Sequence, residues 1–438
     1  MKPFDPRSYF AHKQAIRKAN RRFFAGRKDI FPEAVDGLGV PGSAGVIFGE
    51  RGVGKTSFAW QLLEILRGDC TLLDKLGVKP ALEIRAHECL WVQCRKGMVD
   101  IHGALLALMR PGQRADRNIP RVFPELLTPK KKAAVERTYK LGLPVAQATL
   151  KFTDEDQKVQ LSGLPRDLRT DLATRDAQIE DMFYEALGAI ADVRGAQELL
   201  IFFDEFDRLP VTEGAGEFIK GCNDAKIVVV GVADQVQEII RDHESCARKL
   251  VGTKFCLPNL NREEIHELFE NVEELTRRDG YELVFDSAFI DTVFDSCDGY
   301  PPHVQLLGFA SLMAKVRHGE VGKRIRIDRV DFDVALDELL QGPEGELDTF
   351  EQIQLAIGDS PNRARILLRM AEHEPGWIQE SYAQLALKTR AVRHLETHLE
   401  RLEKTGVVKR DPGGDRIKFA TPALRSVVRM AGKKRLMP

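Results

Sequence analysis

Gly49-Glu50-Arg51-Gly52-Val53-Gly54-Lys55-Thr56-Ser57 decides the fold of this chain. The run follows Val46-Ile-Phe48, a short apolar stretch suited to a buried strand. It precedes a segment whose apolar residues Phe58, Leu62, Ile65 and Leu66 recur at helical spacing. A strand, a glycine-rich turn and a helix in that order match G-x-x-x-x-G-K-[ST] in full. The chemistry explains the residue types. Gly52 and Gly54 accept positive φ, which lets successive backbone N–H groups converge on phosphate oxygens. The helix that follows adds its positive N-terminal end. Lys55 is expected to reach the β- and γ-phosphates of a nucleotide, and the Thr56 hydroxyl to ligate Mg²⁺.

A second motif completes this reading. Leu199-Leu-Ile-Phe-Phe-Asp204-Glu205 is an apolar strand ending in two acids. Carboxylates so placed are costly unless they face a cation or water at a sheet edge. Asp204 is expected to hold the Mg²⁺ shell, and Glu205 to polarise the attacking water. The cofactors implied are ATP and Mg²⁺. Two more apolar runs, Cys89–Val92 and Ile227–Val230, read as strands, with a helix near Ile101–Met109. Apolar runs without alternation, separated by helices, predict an α/β fold with a parallel sheet covered on both faces.

Further segments have other textures. Residues 1–30 are basic and read as helical. Residues of about 110–175 break the strand–helix rhythm with Pro111, Pro120, Pro124 and Pro129 and with Lys130-Lys-Lys132, then alternate like a hairpin over 146–152. They read as an insertion in a core spanning 31–258. From 259 to 342 four helical stretches form an all-α lid; the first carries Ile265, Leu268, Phe269, Val272 and Leu275 on one stripe. Residues 355–438 run helix, helix, helix and hairpin, the order of a winged helix-turn-helix.

Bulk numbers exclude several function classes. The chain has 438 residues with net charge −1, so no overall field drives nucleic-acid binding and any such surface is local. No apolar stretch approaches the roughly 18 residues needed to cross a membrane. The N-terminus has no signal-peptide core, and seven scattered cysteines form no C-x-x-C pair. These features predict a cytoplasmic protein with no membrane partner.

At these residues the sequence resembles the AAA+ and STAND branch of P-loop ATPases, and more narrowly the origin-recognition-like ATPases that fuse an AAA+ module to a winged helix. The resemblance covers Phe24 to about Arg429 apart from the insertion. It makes Asp204-Glu205 the Walker B pair. Phe24-Ala-Gly-Arg27 is similar to the F-x-G-R element bordering the adenine pocket. Val228–Asp234 is similar to the sensor strand, with Asp234 either near the γ-phosphate or capping the helix that follows. His243–Arg248 is similar to the segment that carries an arginine finger; Arg248 is either that finger, acting on a neighbour's nucleotide, or an exposed helix residue. Gly299-Tyr-Pro301 is similar to the G-x-P lid signature. It puts Pro301 at the nucleotide and leaves His303 as either a phosphate-facing residue or a helix histidine without a ligand.

The resemblance implies ATP hydrolysis, an ATP-dependent homo-oligomer and a protein effector held by a partner. Residues 351–438 carry seventeen Lys/Arg against ten Asp/Glu. Lys388, Arg390 and Arg393 lie around the candidate recognition helix, and Lys409, Arg410 and Arg416 on the wing. That charge suits duplex DNA. Against it, Glu396, Glu400 and Glu403 interrupt the basic face, so protein docking stays open. Two alternatives keep the ATPase and change the output: a STAND-type signalling or defence ATPase, and a target selector for a transposase-like partner.

Overall fold

The computed structural model describes residues 4–10, 14–109, 117–127, 172–194, 198–319, 322–341, 348–387, 394–411 and 413–437. Two compact units emerge, and each is described by itself. One comprises Lys28–Gly49 and Phe58–Cys256; the other comprises Met1–Arg27, Glu50–Ser57 and Leu257–Pro438.

The first unit is a parallel sheet. Its strands are β1 (Gly45–Phe48), β2 (Glu88–Gln93), β3 (Leu199–Asp204), β4 (Lys226–Val230) and β5 (Lys254–Cys256), in spatial order β2-β3-β4-β1-β5. Every neighbouring pair is parallel, with Val46 opposite Val229 and Trp91 opposite Phe202. All residues of β1, β3 and β4 are buried, which is why they read as unbroken apolar runs. Successive side chains serve opposite faces. Leu90, Val92, Ile201 and Phe203 join one apolar cluster with Leu105, Phe183 and Phe218 from helices Ile101–Met109, Leu172–Arg194 and Ala215–Gly221. On the other face Trp60 stacks on Trp91 at 4.2 Å, and Trp91 on Phe202 at 5.5 Å.

The fifth strand was not legible in the sequence. Only Phe255 of its three residues is buried, so β5 carries no apolar run. Within the 110–175 segment, Arg117 exchanges two backbone hydrogen bonds of 3.0 Å with Trp91. An outer strand is thereby paired instead of being left open. The expected hairpin at 146–152 lies outside the described residues.

The second unit joins an N-terminal arm, a helical lid and a winged helix. The arm forms two short 3₁₀ turns, Pro6–Ser8 and Lys18–Phe23, in place of the expected regular helix. Aromatic anchoring explains the difference. Tyr9 and Phe10 are buried in the lid core, and the Tyr9 hydroxyl donates to Asp279 at 2.9 Å. The lid has the four expected helices, Arg262–Arg278, Ser287–Cys297, Pro301–Arg317 and Arg329–Gln341. Between them it adds a short parallel pair, β6 (Glu282–Phe285) and β7 (Arg324–Ile327).

The winged helix contains helices Pro361–Glu372, Glu380–Gln384 and Leu395–Lys404, and an antiparallel sheet of β8 (Ile378–Gln379), β9 (Val408–Arg410) and β10 (Arg416–Phe419), ordered β8-β10-β9. Helix Asp348–Ile357 precedes it. A C-terminal helix, Pro422–Leu436, closes it; Thr421 caps the start by accepting from Leu424 N–H at 3.3 Å. Lid and winged helix share one continuous apolar core. Among the described residues no helix is long and apolar enough to cross a membrane.

Candidate functional site

Strand polarity places the first set of candidates. Because the sheet is parallel, Gly49, Gln93, Asp204 and Gly231 all stand at its carboxyl edge, where open α/β sheets bind ligands. Asp204 ends β3 almost wholly buried and accepts the Glu205 N–H at 3.0 Å. Glu205 takes left-handed backbone angles, φ 54° and ψ 38°, at a cost of about 1–2 kcal/mol for a residue with a Cβ. Both its carboxylate oxygens are engaged: Gln93 Nε2 donates to Oε2 at 2.9 Å, and Arg208 pairs with Oε1 at 2.9 Å. The sequence motifs single out neither Gln93 nor Arg208. The signal was present, since Gln93 is the polar end of an apolar strand next to the acid-tipped one.

Asp207 accepts the Val232 N–H at 2.8 Å and ties this turn to the loop after β4. Asp234 is exposed on that loop. The cap position of helix Val236–Ile239 is Gln235, one residue after Asp234. Glu238 reaches back to accept the Asp234 N–H at 3.0 Å. Arg248 is exposed on the 3₁₀ segment His243–Leu250.

The second unit holds residues 50–57. Gly52 and Gly54 have φ of 89° and 96°, in the left-handed region open to glycine. No atom lies within 4 Å of where a Cβ on Gly54 would stand. Helix Lys55–Leu66 starts directly after the loop, with its first N–H groups at the turn. Lys55 is buried, and its Nζ donates to the Glu50 carbonyl at 2.7 Å. An ammonium folded onto a neutral acceptor, a loop with two glycines at positive φ and a helix N-terminus form a donor set suited to phosphate oxygens. Thr56 and Ser57 are half-buried, and the Ser57 hydroxyl accepts the Ile16 N–H of the arm at 2.9 Å.

Phe24-Ala-Gly-Arg27 packs beside this loop. Gly26 and Arg27 both have positive φ, 76° and 67°. A Cβ on Gly26 would collide with Glu264, which accepts the Arg27 N–H at 2.5 Å. The buried Arg27 guanidinium donates to the carbonyls of Val53 at 3.0 Å and Pro258 at 2.6 Å. One side chain therefore joins the glycine-rich loop to the start of the lid. Burial of the guanidinium lowers its pKa, and the Glu264 carboxylate offsets part of that.

The Gly299-Tyr300-Pro301 turn opens helix Pro301–Arg317, with Pro301 at its first position. Asp298 before it is again left-handed at φ 54°. Arg27, Glu205 and Asp298 are the non-glycine residues with positive φ among those described, and each falls in or beside a motif. His303 is buried and shares a 2.6 Å hydrogen bond with Ser426. Burial pushes its pKa down to about 4, so the ring is neutral at pH 7.

On the wing, Lys409 is exposed. Arg410 is instead enclosed by carboxylates, paired bidentately with Glu396 at 2.7 and 2.9 Å and with Glu380 at 3.3 Å. Arg416 pairs with Asp411 at 2.9 Å. Lys388, Arg390 and Arg393 lie outside the described residues. Among the described residues no group of three or more His, Cys, Asp or Glu is placed to hold a metal.

No protein-family model matches the sequence, and no curated protein matches it. Solved structures do align over nearly the whole chain. A Walker-type ATPase of Pyrococcus abyssi is 16% identical over 96% of this chain and 99% of its own, with a TM-score of 0.47. The Aeropyrum pernix ORC2 protein, solved as ADPNP-ADP complexes, is 15% identical over 97% and 96%, at 0.46. The Aeropyrum pernix ORC1 protein, solved with DNA, is 14% identical over 97% and 94%, at 0.41. By its own elements this chain has a parallel α/β core, a helical lid and a C-terminal winged helix.

Proposed function

We propose that the chain is an ATP-binding and hydrolysing switch protein whose nucleotide state is passed to its winged helix. The observation that carries this reading is Arg27, whose guanidinium binds both the glycine-rich loop at Val53 and the lid at Pro258. A loop that changes shape around phosphates then pulls on the lid. In this reading Gly49–Ser57 cradle the phosphates, Lys55 binds the terminal pair, and Phe24, Arg27 and Pro301 border the base. Thr56 and Asp204 would each offer an oxygen to Mg²⁺. Bound Mg²⁺ would neutralise charge on the phosphates. Asp234 stands on the sensor loop, and Arg248 serves a neighbouring copy in an ATP-dependent oligomer in the cytoplasm.

Glu205 has a resting state in this proposal. Water polarisation needs a basic oxygen, and each oxygen of Glu205 already accepts from a donor, Gln93 or Arg208, which lowers its basicity toward water. Gln93→Ala is expected to raise basal ATP turnover by about 3- to 10-fold, the worth of one net hydrogen bond, with ATP affinity unchanged. A fall in turnover, read by phosphate release, would make Gln93 an aid to Glu205 instead of a restraint.

For the output, duplex DNA is the first reading, carried by Lys409 and the basic residues at 388, 390 and 393. The test is binding of labelled duplex to the wild type and Glu205→Gln with ATP, with ADP and without nucleotide, at two salt concentrations. Tighter ATP-dependent binding, lost on reversing charge at Lys409 and Arg393, supports it. Arg410 and Arg416 favour a second reading. Their charges are spent on Glu396, Glu380 and Asp411, which suits a protein-docking winged helix of STAND type. No DNA binding in any state would bring that reading forward.

A further inference from the structure

Tyr300 lies directly on the glycine-rich loop. A Cβ built on Gly52 would stand 2.1 Å from the Tyr300 hydroxyl and 2.6 Å from its ring carbon Cζ. Only a glycine permits so close an approach, and the ring is itself buried. Rearrangement of the Gly52 amide around a phosphate has to move this ring. On its other side Tyr300 meets the His303 ring edge-on at 4.9 Å. His303 is hydrogen-bonded to Ser426 of the C-terminal helix at 2.6 Å.

The backbone bearing Tyr300 has little slack. Gly299 has φ 67°, and a Cβ there would stand 1.8 Å from the Leu260 carbonyl oxygen. Its own carbonyl accepts the Leu260 N–H at 2.9 Å. Just upstream, two arginines of the C-terminal helix grip the lid. Arg425 pairs with Asp298 and donates to the His373 carbonyl at 2.6 Å. Arg429 donates to the Asp295 carbonyl at 2.8 Å and to that of Ala371 at 2.9 Å. Both therefore bridge the lid and the C-terminal end of helix Pro361–Glu372 of the winged helix. Arg425 and Ser426 are buried, so the pairing of Arg425 with Asp298 is costly to break.

We infer that Tyr300 reads the conformation of the glycine-rich loop and passes it, through His303 and Ser426, to the C-terminal helix of the winged helix. Arg425 and Arg429 make the lid turn and that helix move together. This deepens the proposed switch and rests on nucleotide binding by the 49–57 loop. A ligand shifts such an element only by binding its two arrangements unequally, and the contact at Gly52 supplies that inequality.

The test uses the full chain and amide hydrogen exchange over residues 422–436, with and without a non-hydrolysable ATP analogue and Mg²⁺. Calorimetric affinity is measured on the same samples. In the wild type the analogue is expected to change exchange of this helix by about fivefold or more, the lower range of allosteric coupling. Tyr300→Leu and the milder Ser426→Ala should each abolish most of that change while affinity stays within about threefold. A nucleotide response that persists at full size in both variants overturns the relay. So does a wild-type helix that ignores bound nucleotide. A wild type that fails to bind the analogue at all is seen in the calorimetry and overturns the proposed function as well.

Discussion

Lys55→Ala is expected to weaken ATP binding by at least about 100-fold, because it removes charge-assisted hydrogen bonds to two phosphates worth roughly 1.5 kcal/mol or more each. The protein itself should stay folded. Lys55 opens helix Lys55–Leu66, where alanine is a good helix former, and its Nζ donates to the Glu50 carbonyl of its own loop. The measurement is titration calorimetry with ATP and Mg²⁺, beside a thermal unfolding curve. Unchanged affinity would remove the phosphate-loop assignment and everything proposed from it.

Glu205→Gln is expected to lower turnover by about 10²–10³-fold, the range for removing a positioned general base, while ATP affinity stays close to that of the wild type. The amide is isosteric and keeps a carbonyl oxygen for Gln93 or Arg208, so the left-handed turn at Glu205 has no new reason to rearrange. Single-turnover hydrolysis with bound ATP isolates the chemical step. Turnover within twofold of the wild type would show that another group orients the water. Arg248→Ala offers a complementary reading, since an exposed residue acting on a neighbour leaves nucleotide binding intact. Mixing it with Glu205→Gln should restore part of the activity, because each variant supplies what the other lacks. No rescue in the mixture would remove the role in trans.

Much of the site's chemistry was legible in residue order. Gly49–Ser57 and Leu199–Glu205 join a buried strand to a polar turn, and such local patterns carry their own physical reasons. The strands at Gly45–Phe48, Glu88–Gln93 and Lys226–Val230 announced themselves because burial on both faces demands continuous apolar runs. β5 did not, because one buried residue makes no pattern. The lid strands β6 and β7 each alternate exposed and buried over only four residues, too short to stand out among helices. The C-terminal helix was hidden by Gly432 and a lysine-rich end; Arg435 within it pairs with Asp337 of the lid.

The charge of the winged helix shows where counting ends. Its excess of Lys/Arg suggested a surface for phosphates. In the folded chain Arg410, Arg416, Arg425 and Arg435 are paired with acids, and Arg429 with backbone carbonyls. Composition counts charges, whereas partners depend on which distant residues the fold brings near. Asp298 and Arg425 are 127 positions apart.

By itself, then, the sequence determined the motifs, the α/β core and the succession of core, lid and winged helix, since these depend on neighbours in the chain. Tertiary structure alone decided that Gln93 and Arg208 hold Glu205, that Arg27 joins the glycine-rich loop to the lid, and that Tyr300 rests on Gly52 while His303 turns to Ser426. Each of those contacts joins side chains to groups whose closeness follows from packing the whole chain, and no local pattern encodes it.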